Sequence, residues 1–339
     1  MARPQGGCIV DAIQPTENAA GRSLFTVRTP LNVGCRAPKK VLFIGGYGRS
    51  GSTLLDRVLG HCGHGFFSGG ELRHIFVEGY LENRRCGCGV EFRSCDFWSA
   101  VTELAFGTVQ ESDVRRVLEL KARVDRWFYI PRLGIPLLRS ARAQRELAEY
   151  RSILSRLYSA IFEVAGCEVL VDSTKDPSHG WVLSTMPDIE LHVVHLVRDS
   201  RAVAFSWQRK KYNPGSGQHM NRYSLLKTGA EWNAINAFVG LLRRRAASHT
   251  LLRYEDFVAE PARALRPVLD RLGAAGSIDP DGVVELRDDH TVAGNPVRFQ
   301  RGEIRLRLDD EWRRDMAPAG KLMMTTLTAP RLARYNFHF

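Results

Sequence analysis

Short apolar runs alternate with stretches of helical spacing through most of the chain, and the alternation begins at "VLFIGG" (41–46). That run is apolar on both parities over a strand's length, as a strand covered on both faces requires. "STLLDRVLGH" (52–61) follows it as a predicted helix. "EVLVD" (168–172), "ELHVVHLV" (190–197) and "TLLRYEDF" (250–257) predict three further strands. Between and after them, "DPSHGWVLSTM" (176–186), "SRAVAFSWQRKK", a stretch from roughly 226 to 246 and "EPARALRPVLDRLG" predict helices. The first of these has Asp176 as N-cap and Pro177 at its first helical position, both favourable there. Strands alternating with helices imply a parallel sheet joined by crossover helices.

Two regions depart from that rhythm. Residues 1–40 carry scattered Pro, Gly and Asn without periodicity and are expected to form a loosely ordered arm, leaving 41–339 as the folded domain. An insertion at 66–166, with a Cys-rich patch and Arg-rich helical segments, separates the first helix from the second predicted strand. The expectation is an α/β fold: a P-loop-like parallel sheet flanked by helices, with a largely helical insertion capping it.

The chemistry-capable side chains gather where the apolar runs stop. "GYGRSGST" follows the first strand, "STKD" the second and "RDSR" the third. In an open parallel sheet the ligand crevice lies beyond the carboxyl ends of the strands, so these distant segments are expected to converge. Gly46 and Gly51 satisfy the glycines of the G-x-x-x-x-G-K-[ST] phosphate loop, but Ser52 stands where its lysine belongs. Without that lysine or an acidic magnesium partner at a strand end, γ-phosphate hydrolysis is poorly supported. Arg49 instead offers a planar donor fork to the 5′ side of a nucleotide, with Ser50, Ser52 and Thr53 as hydroxyl donors beside Gly51. Arg198 at the third strand's end and Ser206 about two helical turns later supply a second grip. Two grips and no γ-phosphate apparatus point to a nucleotide phosphorylated at both 5′ and 3′ positions.

"GRSGSTLL" together with "VRDSRAVAFSW" resembles the paired 5′-phosphosulfate and 3′-phosphate motifs of sulfotransferases that use 3′-phosphoadenosine 5′-phosphosulfate (PAPS). The likeness is to the carbohydrate and tyrosylprotein branch and its bacterial relatives. "SGGELR" resembles that branch's base-bearing segment, "STKDP" its lysine segment, "LRYEDF" a segment lining the adenine pocket, and "HTVAGNPVRF" a C-terminal return to the cofactor. The resemblance runs in order from about 41 to 315. It implies Glu71 as general base, with Arg49 and Lys175 neutralising charge on the sulfuryl group and bridging oxygen. It also implies Ser52 and Thr53 at the 5′ phosphate, Arg198 and Ser206 at the 3′ phosphate, Arg298 approaching the latter, and Tyr254 and Asn295 near the nucleotide. No metal is required for this chemistry. A carboxylate base near neutral pH works best when partly shielded, so Glu71 is expected to be partly buried.

Composition narrows the partners. The net charge of +11 suits an anionic ligand, and a doubly phosphorylated donor accounts for part of it. No aromatic–basic platform or DNA-reading motif occurs, so nucleic acid is not an expected partner. No apolar run reaches transmembrane length and the N-terminus lacks a signal-peptide core, which makes a cytoplasmic protein the default. "WFYIPRLGIPLLRSAR" offers a peripheral contact with lipid or a membrane face, although Pro131 and Pro136 break its helix and a lid packed on the core is the plainer expectation. The acceptor is expected to be a small molecule or glycan, and oligomeric state is open.

Of Cys86, Cys88 and Cys95, the first two are too tightly spaced for the usual zinc pairing, and Cys62 or His74 would have to fold back as fourth ligand. Free thiols or a local disulfide are the expectation. His192 and His195 fit core packing, and His61 and His64 are structural or acceptor-side residues. A small-molecule kinase built on the same loop, or a nucleotide-binding scaffold without a base, are the alternatives to a sulfotransferase.

Overall fold

The computed structural model describes residues 37–63, 65–210, 212–213, 217–219 and 221–337. The expected N-terminal arm lies outside the described residues as far as residue 36, and so does His64.

Strand β1 (Lys39–Gly45) feeds helix α1 (Ser52–Gly60), and a short β2 (Phe66–Ser68) follows. A 3₁₀ turn (Leu72–His74) and a π-helical stretch (Ile75–Leu81) lead to α2 (Asp96–Phe106), α3 (Glu111–Val124), α4 (Ile130–Gly134) and the long α5 (Ala141–Ala165). The chain re-enters the sheet as β3 (Val169–Lys175), then continues through α6 (Pro177–Leu183), β4 (Ile189–Val197) and α7 (Ser200–Gln208). A two-residue hairpin, β5 (Tyr212–Asn213) and β6 (Gln218–His219), precedes α8 (Leu225–Leu241) and β7 (Ser248–Arg253). Then come α9 (Tyr254–Ala259), α10 (Pro261–Leu272), an antiparallel pair of β8 (Val283–Leu286) and β9 (Gly302–Arg305), α11 (Trp312–Asp315) and α12 (Pro318–Arg334).

The main sheet has the order β2-β3-β1-β4-β7, with every neighbouring pair parallel. Its two faces follow the two-residue period of a strand. Val41 and Phe43 of β1, Leu170 of β3 and Leu191 and Val193 of β4 join one hydrophobic cluster with Trp98, Leu120, Leu154 and Leu157 of the inserted helices. Leu42 and Ile44, Val169 and Val171, and Val194 and Leu196 point the other way, against Leu55, Leu59, Leu265 and Leu272 of α1 and α10. The insertion thus packs on one face of the sheet through a continuous apolar core.

Two boundaries differ from expectation. The insertion does not begin at Phe66, because Phe66, Phe67 and Ser68 pair with Val169, Leu170 and Val171 as an edge strand. Three residues carry too little pattern to be read as a strand, and only pairing with β3 makes them one. The fourth predicted strand ends at Arg253, and Tyr254 opens α9 instead. Glu255 and Asp256 fall in that helix's first turn, where negative charge suits the dipole.

Ile130 and Leu133 carry the packing of "WFYIPRLGIPLLRSAR", whereas Trp127, Phe128, Ile135, Leu137 and Leu138 are exposed. No helix among the described residues is long and apolar enough to cross a membrane.

Candidate active site

The loop between β1 and α1 turns sharply at two residues. Gly51, the N-cap of α1, has φ +91°, and a Cβ there would come within 2.5 Å of the Tyr254 ring. Arg49 reaches φ +70° although it carries a full side chain, a conformation that costs energy and clusters at functional sites. The first turn of α1 holds no acidic residue, so its amides and dipole face outward uncompensated. Ser50, Ser52 and Thr53 are all buried, and the Ser50 hydroxyl has no hydrogen-bond partner among the described residues. The Arg49 guanidinium lies over the Trp207 ring, 4.7 Å from its centroid. Burial lowers the Arg49 pKa, and the negative charge of Glu71 opposes that shift.

Glu71 and Lys175 come together from two strand ends. Glu71 follows Gly69 and Gly70 after β2, and its backbone N–H donates to the Val292 carbonyl at 2.7 Å. Lys175 is the last residue of β3 and, like Arg49, adopts φ +70°. Its ammonium forms an ion pair with the Glu71 carboxylate, and both side chains are largely shielded, at 18% and 13% exposure. The partial burial expected of Glu71 is therefore present. Asp176, as expected, caps α6 by accepting from the Ser178 N–H at 2.9 Å.

Arg198 leaves the end of β4 and reaches back to the loop. Its Nη1 donates to the Arg49 carbonyl at 3.2 Å, and its Nη2 to the Asp309 carbonyl at 2.7 Å. Its Nε is buried without a hydrogen-bond partner among the described residues. The Tyr254 ring stacks beneath this guanidinium at 4.5 Å, with its edge against Gly51, and so props both the loop and the arginine. Ser206 is half-buried in the last turn of α7. The two basic segments, 149 residues apart in sequence, share one face of the molecule.

The C-terminal return meets both the Cys-rich patch and the loop. Arg298 is buried, donating to the Thr291 carbonyl at 2.9 Å and the Arg85 carbonyl at 2.6 Å. Its guanidinium knits the Cys-rich patch to the return segment. Asn295 does approach the loop, its N–H donating to Thr53 Oγ1 at 3.4 Å, while its side chain caps the following 3₁₀ turn.

Several supporting residues had no role in the sequence reading. Arg57 of α1 is fully buried, bonded by Asp289 at 2.6 Å and by the carbonyls of Arg287, Val297 and Gln300. Asp56, one residue earlier, accepts hydroxyl bonds from Ser68 and Ser173 beneath the Glu71 turn, and burial raises its pKa to about 8. Arg73 bonds Asp125 of the insertion, which with Asp172 holds the buried His179. Burial alone would lower the His179 pKa, but bonds to the two carboxylates raise it to about 9. A charged residue inside an otherwise apolar helix stripe, as at Asp56 and Arg57, was the available signal. Trp207 stands next to Ser206 and had no signal of its own.

The histidines of β4 are satisfied in the core: His192 meets Ser248 and Glu190, and His195 meets Asn236. Both ring nitrogens of His61 are held by backbone, at the Arg57 carbonyl and the Arg287 N–H. Cys86, Cys88 and Cys95 form no disulfide among the described residues. Neither Cys62 nor His74 joins them, since Cys62 packs in the cluster on the opposite face of the sheet and His74 turns toward Glu71.

A profile of the sulfotransferase family matches residues 42–277. Among solved structures, the sulfotransferase domain of the Synechococcus PCC 7002 olefin synthase is 21% identical, with 87% of this chain and 95% of that one covered and a TM-score of 0.48. The sulfotransferase domain from the curacin biosynthetic pathway is 17% identical over 87% and 98%, with a TM-score of 0.45. A sulfotransferase from Alicyclobacillus acidocaldarius is 15% identical over 89% and 95%, with a TM-score of 0.41. No curated protein matches the chain. With its profile spanning well over half of the sequence, including the loop, the Glu71 turn, Lys175 and Arg198, the chain belongs to the sulfotransferase family.

Proposed function

We propose that this sulfotransferase takes PAPS as its donor and sulfates a hydroxyl of a small-molecule or glycan acceptor, with Glu71 as general base. The observation that carries the reading is the meeting of Arg198 with the Arg49 loop, where the Arg198 Nε–H and the Ser50 hydroxyl are buried without partners among the described residues. Buried donors without partners cost free energy, and a bound anion is the ligand that would satisfy them. The donor, when bound, supplies the sulfuryl group and a phosphate leaving group.

The chain's own residues divide the work by position. The α1 amides with Ser52 and Thr53 suit the 5′ phosphate, and Arg198 with Ser206 the 3′ phosphate. Glu71, held by the Val292 carbonyl and flanked by Gly294, takes the proton from the acceptor hydroxyl. Lys175 and Arg49 bring fixed positive charge to the place where negative charge grows on the bridging oxygen. The kinase alternative lacks a loop lysine, which Ser52 replaces.

Calorimetric titration with adenosine 3′,5′-bisphosphate, compared with adenosine 5′-monophosphate, tests the donor assignment. The bisphosphate is expected to bind at least about tenfold tighter, the worth of one charge-assisted grip, and Arg198→Met to erase the difference. Equal binding of the two nucleotides by the wild-type protein rejects it. Incubation of the enzyme with radiolabelled PAPS and a cell extract then identifies the acceptor by the labelled product.

A further inference from the structure

Cys86, Cys88, Cys95 and His290 turn their ligand atoms toward one point, all within 4.8 Å of one another. Nothing in sulfuryl transfer uses them. We propose that these four residues bind a structural zinc ion, three through thiolate sulfur and His290 through Nδ1.

The distances favour this over packed thiols. With Zn–S near about 2.3 Å and Zn–N near about 2.0 Å, a tetrahedral site separates sulfurs by about 3.8 Å and sulfur from nitrogen by about 3.5 Å. The Cys88 and Cys95 sulfurs are 3.8 Å apart, and His290 Nδ1 lies 3.7 Å from the Cys86 sulfur and 3.2 Å from that of Cys95. Cysteines that merely fill a core turn toward carbon. Here they converge with an imidazole from a segment about 200 residues away. The tight C-x-C spacing is accommodated by a turn in which the Gly89 N–H bonds the Cys86 carbonyl and Gly89 takes φ +96°.

The surroundings hold the ligands in place. The His290 ring stacks on Phe97 at 4.8 Å and 12°, and the His290 carbonyl accepts from Trp98 Nε1 at 2.9 Å. Such outer contacts fix the orientation of a ligating imidazole. Cys95 is the N-cap of α2, where the helix dipole favours a thiolate. On binding, the thiols release their protons to solvent, and three thiolates with one zinc leave one net negative charge. Arg298, bonded to the Arg85 carbonyl just before Cys86, brings positive charge to that side.

Four protein ligands close the site, so its role is structural. It staples the 85–95 turn to the return segment, which carries the Val292 carbonyl bonded to the Glu71 N–H and the Asn295 N–H bonded to Thr53. The metal thereby positions the turn that bears Glu71, without touching the reacting atoms.

Elemental analysis of the full chain, purified without chelator, is expected to find about one zinc per molecule. Cobalt(II) replacement should give thiolate-to-cobalt charge transfer and the intense visible bands of tetrahedral cobalt. Cys88→Ser and His290→Ala should lose most of the metal, whereas Cys62→Ser should keep it. Removing zinc with a strong chelator should lower the melting temperature on the order of 10 °C, restored by added zinc. Wild-type protein that carries no stoichiometric zinc and shows no charge-transfer band with cobalt overturns the proposal. Recovery of two of the three cysteines as a disulfide in freshly purified protein does so equally.

Discussion

Lys175 and Glu71 are ion-pair partners, one at the end of β3 and the other on the turn after β2, and the pair is mostly shielded from water. The residue proposed to take the acceptor's proton therefore touches the one proposed to neutralise the leaving group. Burial strips hydration from both charges, and their attraction offsets that cost only while they stay together. Donor binding is expected to draw Lys175 toward the phosphate side and release the carboxylate for the acceptor.

That arrangement makes Glu71→Gln separable from Lys175→Met. The glutamine variant should lose about 10²–10⁴-fold in kcat while binding adenosine 3′,5′-bisphosphate within about twofold of wild type. The methionine variant should lose both turnover and donor affinity. Steady-state assays with labelled donor, run beside calorimetry, check the pair, and an unimpaired kcat in Glu71→Gln removes the base assignment.

Gly51→Ala places a Cβ 2.5 Å from the Tyr254 ring at a backbone angle of φ +91°. The combined strain is expected to cost about 1–3 kcal/mol and to shift the loop amides. Chemical denaturation should show the stability loss, and bisphosphate titration at least about a tenfold weaker complex. Unchanged affinity would mean that the loop does not hold the nucleotide.

Arg57→Met leaves Asp289 buried without its ion-pair partner and strips donors from the carbonyls of Arg287, Val297 and Gln300. Breaking such a pair from one side costs roughly 3–5 kcal/mol. Urea unfolding measures it, and a loss below about 1 kcal/mol would show that the return segment holds its place by other contacts.

Asp56 supplies a pH test. Burial raises its pKa from 3.8 to about 8, so the folded protein keeps a proton that the unfolded chain releases. Its favourable contribution is complete below the unfolded value and declines as pH rises toward 8. Asp56→Asn has no such decline. Between pH 5 and 8 the variant should gain on wild type by up to about 1.4 kcal/mol per pH unit, levelling off above 8. Parallel stability curves would show that Asp56 is ionised in the fold.

The alternation of strand and helix was legible because each element writes its own period into consecutive residues. β1, β3, β4 and β7 fall where the apolar runs predict them, and Asp176 caps α6 from a local signal. The convergence of Arg49, Lys175 and Arg198 at the strand ends was legible too, since parallel sheets put those ends on one edge. β2 was not, because three residues become a strand only by pairing with β3.

By itself, the sequence determined the parallel α/β order, the lysine-free phosphate loop and the family signature, all of which reside in short contiguous stretches. Tertiary structure alone decided that Arg298 binds the Arg85 carbonyl, that Arg57 meets Asp289, and that His290 arrives at Cys86, Cys88 and Cys95. Those partners lie about 200 residues apart or more, and no local periodicity encodes which side chain a folded chain will bring to another across that distance.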